Sequence, residues 1–138
     1  MEWTHGDYIL TDERDRADID AIHNLLRDTY WAATRTRELV ALSVENSLCF
    51  SLFHSGRQVG VARVLTDNGA TSYLCDVILE PSHRSNGLGS WLMQRVLDHP
   101  VVRNTYVLLI TRDAQAFYRK FGFTTPRYEC MAKPESVG

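Results

Sequence analysis

Three β-type segments follow one another between Ser47 and Leu79 with only two short turns between them. Ser47 to His54 is rich in Leu and Phe, Ser55-Gly56 supplies a turn, and Gln58 to Thr66 carries Val59, Val61 and Val64. Asp67-Asn68-Gly69 then marks a hairpin, because Asn and Gly tolerate the positive φ angles that such turns require. Thr71 to Leu79 is apolar on both faces, the pattern of a strand in the middle of a sheet. Turns this short do not hold a parallel crossover, so the three segments read as an antiparallel meander.

The flanks are mixed. Tyr8 to Thr11 is a short β run. Asp15 or Asp18 can cap a helix whose apolar positions Ile19, Ile22, Leu25 and Leu26 keep three- and four-residue spacing to about Tyr30. A polar-aromatic break from Trp31 leads to a second short helix, from about Arg37 to Val44. After the meander, Pro81 ends the third strand, and Leu88, Trp91, Leu92, Val96 and Leu97 space a helix that Pro100 stops. Tyr106 to Ile110 is a short apolar strand. Asp113 is a suitable N-cap for a helix over Ala114 to Phe121, Gly122 falls where helices end, and Phe123 to Ala132 predicts a closing strand or two. The order predicts one mixed α/β domain over residues 1–138. Its strand–helix–strand unit near residues 72–110 should be a right-handed parallel crossover.

An apolar share of 44% in 138 residues suits one hydrophobic core. The net charge of −2 gives no overall basic field for nucleic acid or a membrane surface, so an anionic ligand must be held by a local site. Cys49, Cys75 and Cys130 each stand alone in apolar surroundings, without a CxxC pair or a His/Cys cluster. They read as reduced core thiols, with no metal site expected. The amino terminus lacks the pattern of a signal peptide, and no apolar run reaches the ~18–20 residues that span a bilayer. A cytoplasmic location is the expectation.

The chemistry is concentrated in Asp76-Val77-Ile78-Leu79-Glu80-Pro81-Ser82-His83-Arg84-Ser85-Asn86-Gly87-Leu88-Gly89-Ser90-Trp91-Leu92. A buried strand runs into a loop with Arg, Asn and two Gly that opens directly into a helix. Backbone N–H groups at a helix N-terminus lack intrahelical partners, and the dipole end is positive. Glycines let a phosphate approach them, and Arg84 can add a bidentate contact. The loop alone also fits a plain strand-to-helix turn. There is no G-x-x-x-x-G-K-[ST], and Leu92 stands where a third glycine of G-x-G-x-x-G would be.

One strand further on, Ala114-Gln115-Ala116-Phe117-Tyr118-Arg119-Lys120-Phe121-Gly122-Phe123 supplies a second element. With it the chain resembles the GCN5-related N-acetyltransferase (GNAT) family. That family's loop reads Arg/Gln-x-x-Gly-x-Gly/Ala, matched by Arg84, Gly87 and Gly89; its later Ala-x-x-x-Tyr-x-x-x-Gly-Phe is matched by Ala114, Tyr118, Gly122 and Phe123. The resemblance implies a GNAT-like α/β fold: a mixed, mostly antiparallel sheet with a splayed parallel strand pair, flanked by about four helices. It implies transfer of an acetyl group from acetyl-CoA to an amine by direct attack, without a metal. The backbone of Val77 and Leu79 would pair with the pantetheine arm. An amide at Val77 or Ile78 would polarise the thioester carbonyl. N–H groups across Ser85, Asn86, Gly87, Leu88, Gly89 and Ser90 would hold the pyrophosphate, with Thr111, Ala114 and Phe117 also on the cofactor. Tyr118 matches the family's general acid. Ser85 and Asn86 replace a more usual small-basic pair, and Thr111 stands where many members carry Asn, so the grip on phosphate rests on backbone donors.

Asp76 shares a face with Leu74 and Ile78 by strand alternation. Two roles stay open for it: accepting the amine's proton, directly or through water, or pairing structurally with a backbone N–H or Arg63. Glu80 is a weaker candidate for the same proton. For the acceptor, a small amine or a protein amino group, the resemblance points to Tyr30, Trp31 and Arg35, with Arg37, Arg127, Tyr128 and Glu129 as further residues. The aromatics would frame a cationic amine, or Arg35 or Arg37 would bind a carboxylate. A non-catalytic acyl-CoA-binding module of the same fold is the alternative function, and a homodimer through the C-terminal strands is compatible with either.

Overall fold

A computed structural model describes residues 1–84 and 86–135. Six strands form one sheet in chain order: β1 (Glu2–His5), β2 (Tyr8–Thr11), β3 (Leu48–His54), β4 (Arg57–Thr66), β5 (Thr71–Leu79) and β6 (Tyr106–Leu109). Four helices accompany them: α1 (Ile19–Leu26), α2 (Arg37–Glu45), α3 (Leu88–Asp98) and α4 (Gln115–Arg119). All neighbouring strands are antiparallel except β5 and β6, which α3 connects in parallel. The meander, both early helices and the crossover stand where the periodicity places them.

The sheet separates two apolar layers. Leu10, Phe50, Val64, Leu74 and Leu79 pack on one face against Leu88, Leu92, Met93 and Val96 of α3. On the other face, Cys49 and Val61 meet Ile22 and Leu26 of α1 and Val40 and Val44 of α2. Asp18, rather than Asp15, caps α1 by accepting the Ala21 N–H at 3.1 Å. This helix stops at Leu26 instead of running to Tyr30, because the Thr29 hydroxyl donates to the Leu26 carbonyl (2.7 Å) and accepts the Ala32 N–H (3.1 Å). That turn delivers Tyr30 and Trp31 to the sheet's open end.

Two ends of the chain depart from expectation. β1 pairs with β2 through a turn in which Gly6 takes φ +57°. Its residues are mostly exposed, so they carry no apolar alternation to read. Conversely, residues 123–135 form no strand; Tyr128 and Met131 are 76% and 87% exposed. Pro126 removes a ladder donor there, and β6 pairs only with β5. Cys130, expected in the core, is exposed as well. α4 is also shorter than predicted. Asp113 does not cap it; the Thr111 hydroxyl accepts the Ala114 N–H at 3.0 Å instead. Gly122 does end this segment, at φ +91°.

One irregularity sets up everything that follows. Arg63 of β4 opposes Asp76, but the next residue, Val64, opposes Leu74, so Cys75 has no partner and forms a bulge in β5. The bulge changes the alternation. Leu74 faces α3, whereas Asp76 bonds to residues of the α1–α2 side and Ile78 packs into that layer. The expectation that Asp76 shares a face with both Leu74 and Ile78 therefore holds for Ile78 alone. β6 pairs with β5 only from Thr71 to Leu74, and beyond the bulge the two part.

Close approach fixes this end of the sheet. A Cβ on Gly60 would lie 2.6 Å from a Leu79 methyl and 3.3 Å from the Ile78 carbonyl oxygen. Gly60→Ala should cost about 1–3 kcal/mol by overpacking, seen as a lower urea midpoint at unchanged slope. An unchanged midpoint would show that Leu79 moves aside freely.

Candidate active site

Where β5 and β6 separate, a cleft of about 1110 Å³ opens. Its walls are the Val77–Leu79 end of β5, the start of α3, the β6–α4 connection and the α1–α2 loop. The Glu80 N–H donates across to Val59 of β4 at 2.8 Å. By strand alternation, the N–H and C=O groups of Val77 and Leu79 therefore turn the other way, into the cleft, while those of Ile78 turn toward β4. Of the two amides expected at a thioester carbonyl, only that of Val77 faces the right way. Ile78 contributes its side chain to the lining instead.

At the α3 end, Asn86 and Gly87 both take left-handed backbone angles, φ +60° and +75°. Gly87 is the N-cap and offers no side chain; the first helical bond runs from the Trp91 N–H to its carbonyl at 3.0 Å. The N–H groups of Leu88, Gly89 and Ser90 thus have no helical partner and meet the positive end of an 11-residue helix. The two glycines are needed for different reasons. Gly87 needs its φ. Gly89 does not have a positive φ, and a Cβ there would make ordinary 3.8 Å contacts with Leu79 and Phe117. Packing leaves room beside Gly89, so the fold does not demand its bareness, and the bare backbone would let a phosphate approach. Arg84 donates Nε to the Leu79 carbonyl at 2.8 Å, which leaves only its Nη edge for an anion. The same bond occupies the Leu79 carbonyl, so an extended ligand would find Val77 the freer partner. Ser85 lies outside the described residues.

Tyr118 stands on the facing wall, half-buried and packed edge-on against Phe117 and Phe123 at centroid distances of 5.1 and 5.7 Å. Burial, with a smaller contribution from Tyr30, pushes its phenol up to about 12. Phe117 lines the cleft beside Gly89. Thr111 and Ala114 also line it, but they bond to each other, which shapes the turn into α4.

The acceptor-side residues gather around Asp76. Its carboxylate is 2% exposed and accepts from Trp31 Nε1 (2.8 Å), Arg35 Nη1 (3.0 and 2.9 Å) and Arg63 Nε (2.8 Å). A carboxylate has about four lone-pair sites, and four contacts take them up. Asp76 is therefore an anchor that joins β4, β5 and the α1–α2 loop, and the Arg63 pairing is the role realised here. Tyr30 packs edge-on to Trp31 at 5.0 Å and accepts the Arg112 N–H at 2.8 Å, and the Arg112 guanidinium lies 3.9 Å over its ring. That contact links the α1–α2 loop to the β6–α4 connection across the cleft.

Other candidates lie elsewhere. Glu80 is paired with Arg57 (2.6 and 3.1 Å), which holds its carboxyl below the usual range, and Arg37 is paired with Asp20 at the surface. Arg127, Tyr128 and Glu129 are exposed and do not line the cleft. Arg27, Arg112, Tyr73 and Cys75, which carry no local signal of a site, do line it. Cys75 is carried there by the bulge, and burial pushes its thiol up, which disfavours a thiolate.

Known proteins match this arrangement along most of the chain. The model of the Acetyltransferase (GNAT) family matches residues 8–123. The Gibberella zeae protein FG08082, which carries an acetyltransferase name, is 27% identical over 144 residues, covering 87% of this chain and 80% of its own. A GNAT-family structure from Xanthomonas campestris pv. campestris superposes with a TM-score of 0.89 at 35% identity, covering 96% of this chain and 94% of its own. An aminoglycoside N-acetyltransferase in complex with CoA shares the fold (TM-score 0.68, 12% identity, 94% and 95% covered). With the family model spanning both motifs and the splayed β5–β6 pair, the chain belongs to the GNAT acetyltransferase family.

Proposed function

We propose that this protein transfers an acetyl group from acetyl-CoA to an amine in the cleft between β5 and β6. The observation that carries the reading is the pairing, in one cleft, of N–H groups at the α3 start that lack a helical partner with the outward-turned backbone edge of Val77. The first suits a pyrophosphate and the second an amide-bearing chain, and together they match the two ends of coenzyme A. When bound, acetyl-CoA supplies the activated acyl group and a thiol leaving group.

The residues divide the remaining work. Leu88, Gly89 and Ser90 donate N–H groups to phosphate oxygens, and the Nη edge of Arg84 adds charge. Val77 directs its amide toward the acyl carbonyl and favours negative charge building there. Tyr118 faces the departing sulfur. With a phenol near 12 it stays protonated at neutral pH. It is a weaker acid than a thiol of about 8.5, so its contribution in this environment is a hydrogen bond to the developing thiolate more than complete proton release. Asp76 orders the acceptor wall without taking part in proton transfer. The amine attacks as its free base, and the proton its nitrogen sheds on forming the amide passes through water to the departing thiolate.

The direct test is thiol release from acetyl-CoA across a panel of amines. Turnover with any acceptor supports the proposal; binding of acetyl-CoA without turnover across a broad panel favours a non-catalytic acyl-CoA-binding module. Tyr118→Phe should lower kcat by about 10²-fold or more while leaving acetyl-CoA affinity unchanged. Because the phenol titrates near 12, the wild-type rate should show no Tyr118 limb between pH 7 and 10. Unchanged turnover in the variant would remove Tyr118 from the reaction. Asp76→Asn should destabilise the fold by about 3–5 kcal/mol, since two guanidinium groups lose their common partner, and should raise the acceptor KM. A variant of normal stability that loses only the limb of kcat/KM assigned to a carboxylate base would return Asp76 to the proton-accepting role.

A further inference from the structure

Within the acyl-transfer reading, the cleft holds more positive charge than coenzyme A accounts for. Its phosphates belong at the α3 end, where Arg84 stands. A second group of cations, Arg27, Arg35 and Arg112, lines the other end, on a chain whose net charge is −2. Arg63 lies beneath them, and its charge and that of Arg35 share one carboxylate, Asp76. Side-chain exposures of 10% for Arg63, 3% for Asp76 and 26% for Arg35 put this arginine–aspartate–arginine triad largely out of water, so it carries one uncompensated positive charge in a sheltered place. Asp76 engages only Nη1 of Arg35, which leaves the Nη2 side of that guanidinium for another acceptor.

Arg112 adds a second guanidinium at the same aromatic pair. It stacks on Tyr30, whose ring is 5.0 Å from that of Trp31, and Trp31 shares Asp76 with Arg35. Two planar forks thus line one cleft beside Tyr30 and Trp31. The acids that line this end, Asp28 and Asp113, are exposed, and Asp113 is 3.6 Å from Arg112. Solvent screens such carboxylates, so they offset the sheltered charge poorly.

An ammonium group alone would be repelled here. We propose that the acceptor is an amino-carboxylate: a primary amine that carries a free carboxylate close enough for Arg35 and Arg112 to hold while the amine points at the acyl carbon. Guanidinium forks match carboxylate geometry, and the aromatic faces would cover the carbon atoms between the two charged ends. Holding the carboxylate draws the zwitterion in despite its ammonium charge and fixes the direction of approach.

The test compares each common α-amino acid with its α-carboxamide, which keeps the shape but removes the carboxylate charge; amidation also lowers the pKa of the amine, so rates are compared per concentration of free amine. Acetyl-CoA binding is measured separately by calorimetry. For the acids turned over, kcat/KM should exceed that of the matching amide by at least about tenfold, the scale of one charge-assisted hydrogen bond. Arg112→Gln, an exposed position whose replacement keeps the fold, should raise KM for the acid and shrink that ratio. Amides used as well as acids would overturn the inference. So would an Arg112→Gln variant that slows acid and amide alike, because the guanidinium would then serve the acyl group or the loop. Acetyl-CoA binding without turnover of any amino acid would overturn it while leaving the cofactor reading intact. Absence of acetyl-CoA binding would overturn the reading beneath it and this inference together.

Discussion

The whole site depends on a single unopposed residue in β5. Cys75 interrupts the register between Arg63–Asp76 and Val64–Leu74, and two consequences follow from the same bulge. β5 leaves β6, which opens the cleft and exposes the Val77 backbone edge along it. The face reversal also turns Asp76 away from the α3 layer that receives Leu74, toward the α1–α2 loop where Trp31 and Arg35 wait. In the proposed function, backbone recognition of one substrate and ordering of the wall for the other are thus coupled through one irregularity. Bulges characteristically re-aim a side chain and end pairing, and here both effects are used.

In the proposed function the two ends of the cleft hold their ligands by different physics. At α3, binding rests on N–H groups that the helix cannot satisfy and on a glycine whose missing Cβ no neighbour demands. Such donors are preorganised and need no charged side chain, which fits a loop carrying Asn86 where a basic residue is more usual. At the α1–α2 loop, order comes from charge. A buried carboxylate with two arginines is a poor source of net stability, because desolvation consumes much of the Coulombic gain. Its value lies in fixing the indole of Trp31 and the plane of Arg35, and with them the shape of the acceptor wall.

The elements legible in the sequence were those with a strong local signal. Apolar periodicity placed the meander and α3, and the Asn68-Gly69 turn and the loop glycines sit where positive φ or bare backbone is required: φ is +64° at Asn68 and +75° at Gly87. Strand alternation failed at Leu74 because a bulge leaves no mark in a strand that is apolar on both faces. The closing strand failed because β propensity says nothing about whether a partner edge is available. In the site, Arg84, Gly87, Gly89 and Tyr118 were found through motifs. The proton-accepting role considered for Asp76 depended on partners 13 to 45 residues away in the chain, and only tertiary structure shows that all its lone pairs are used. Arg112 carries no local signal for the same reason: its place at the cleft comes from stacking on Tyr30, 82 positions earlier.

The claim at the centre of this account is that backbone amides on the two sides of the splayed cleft hold the cofactor. Amide chemical-shift mapping during titration with coenzyme A reads those groups directly. The account predicts that the largest changes fall on Leu88, Gly89, Ser90 and Val77, with β1, β2 and β3 little affected. Saturable binding that leaves these four amides unmoved while perturbing another surface would contradict it.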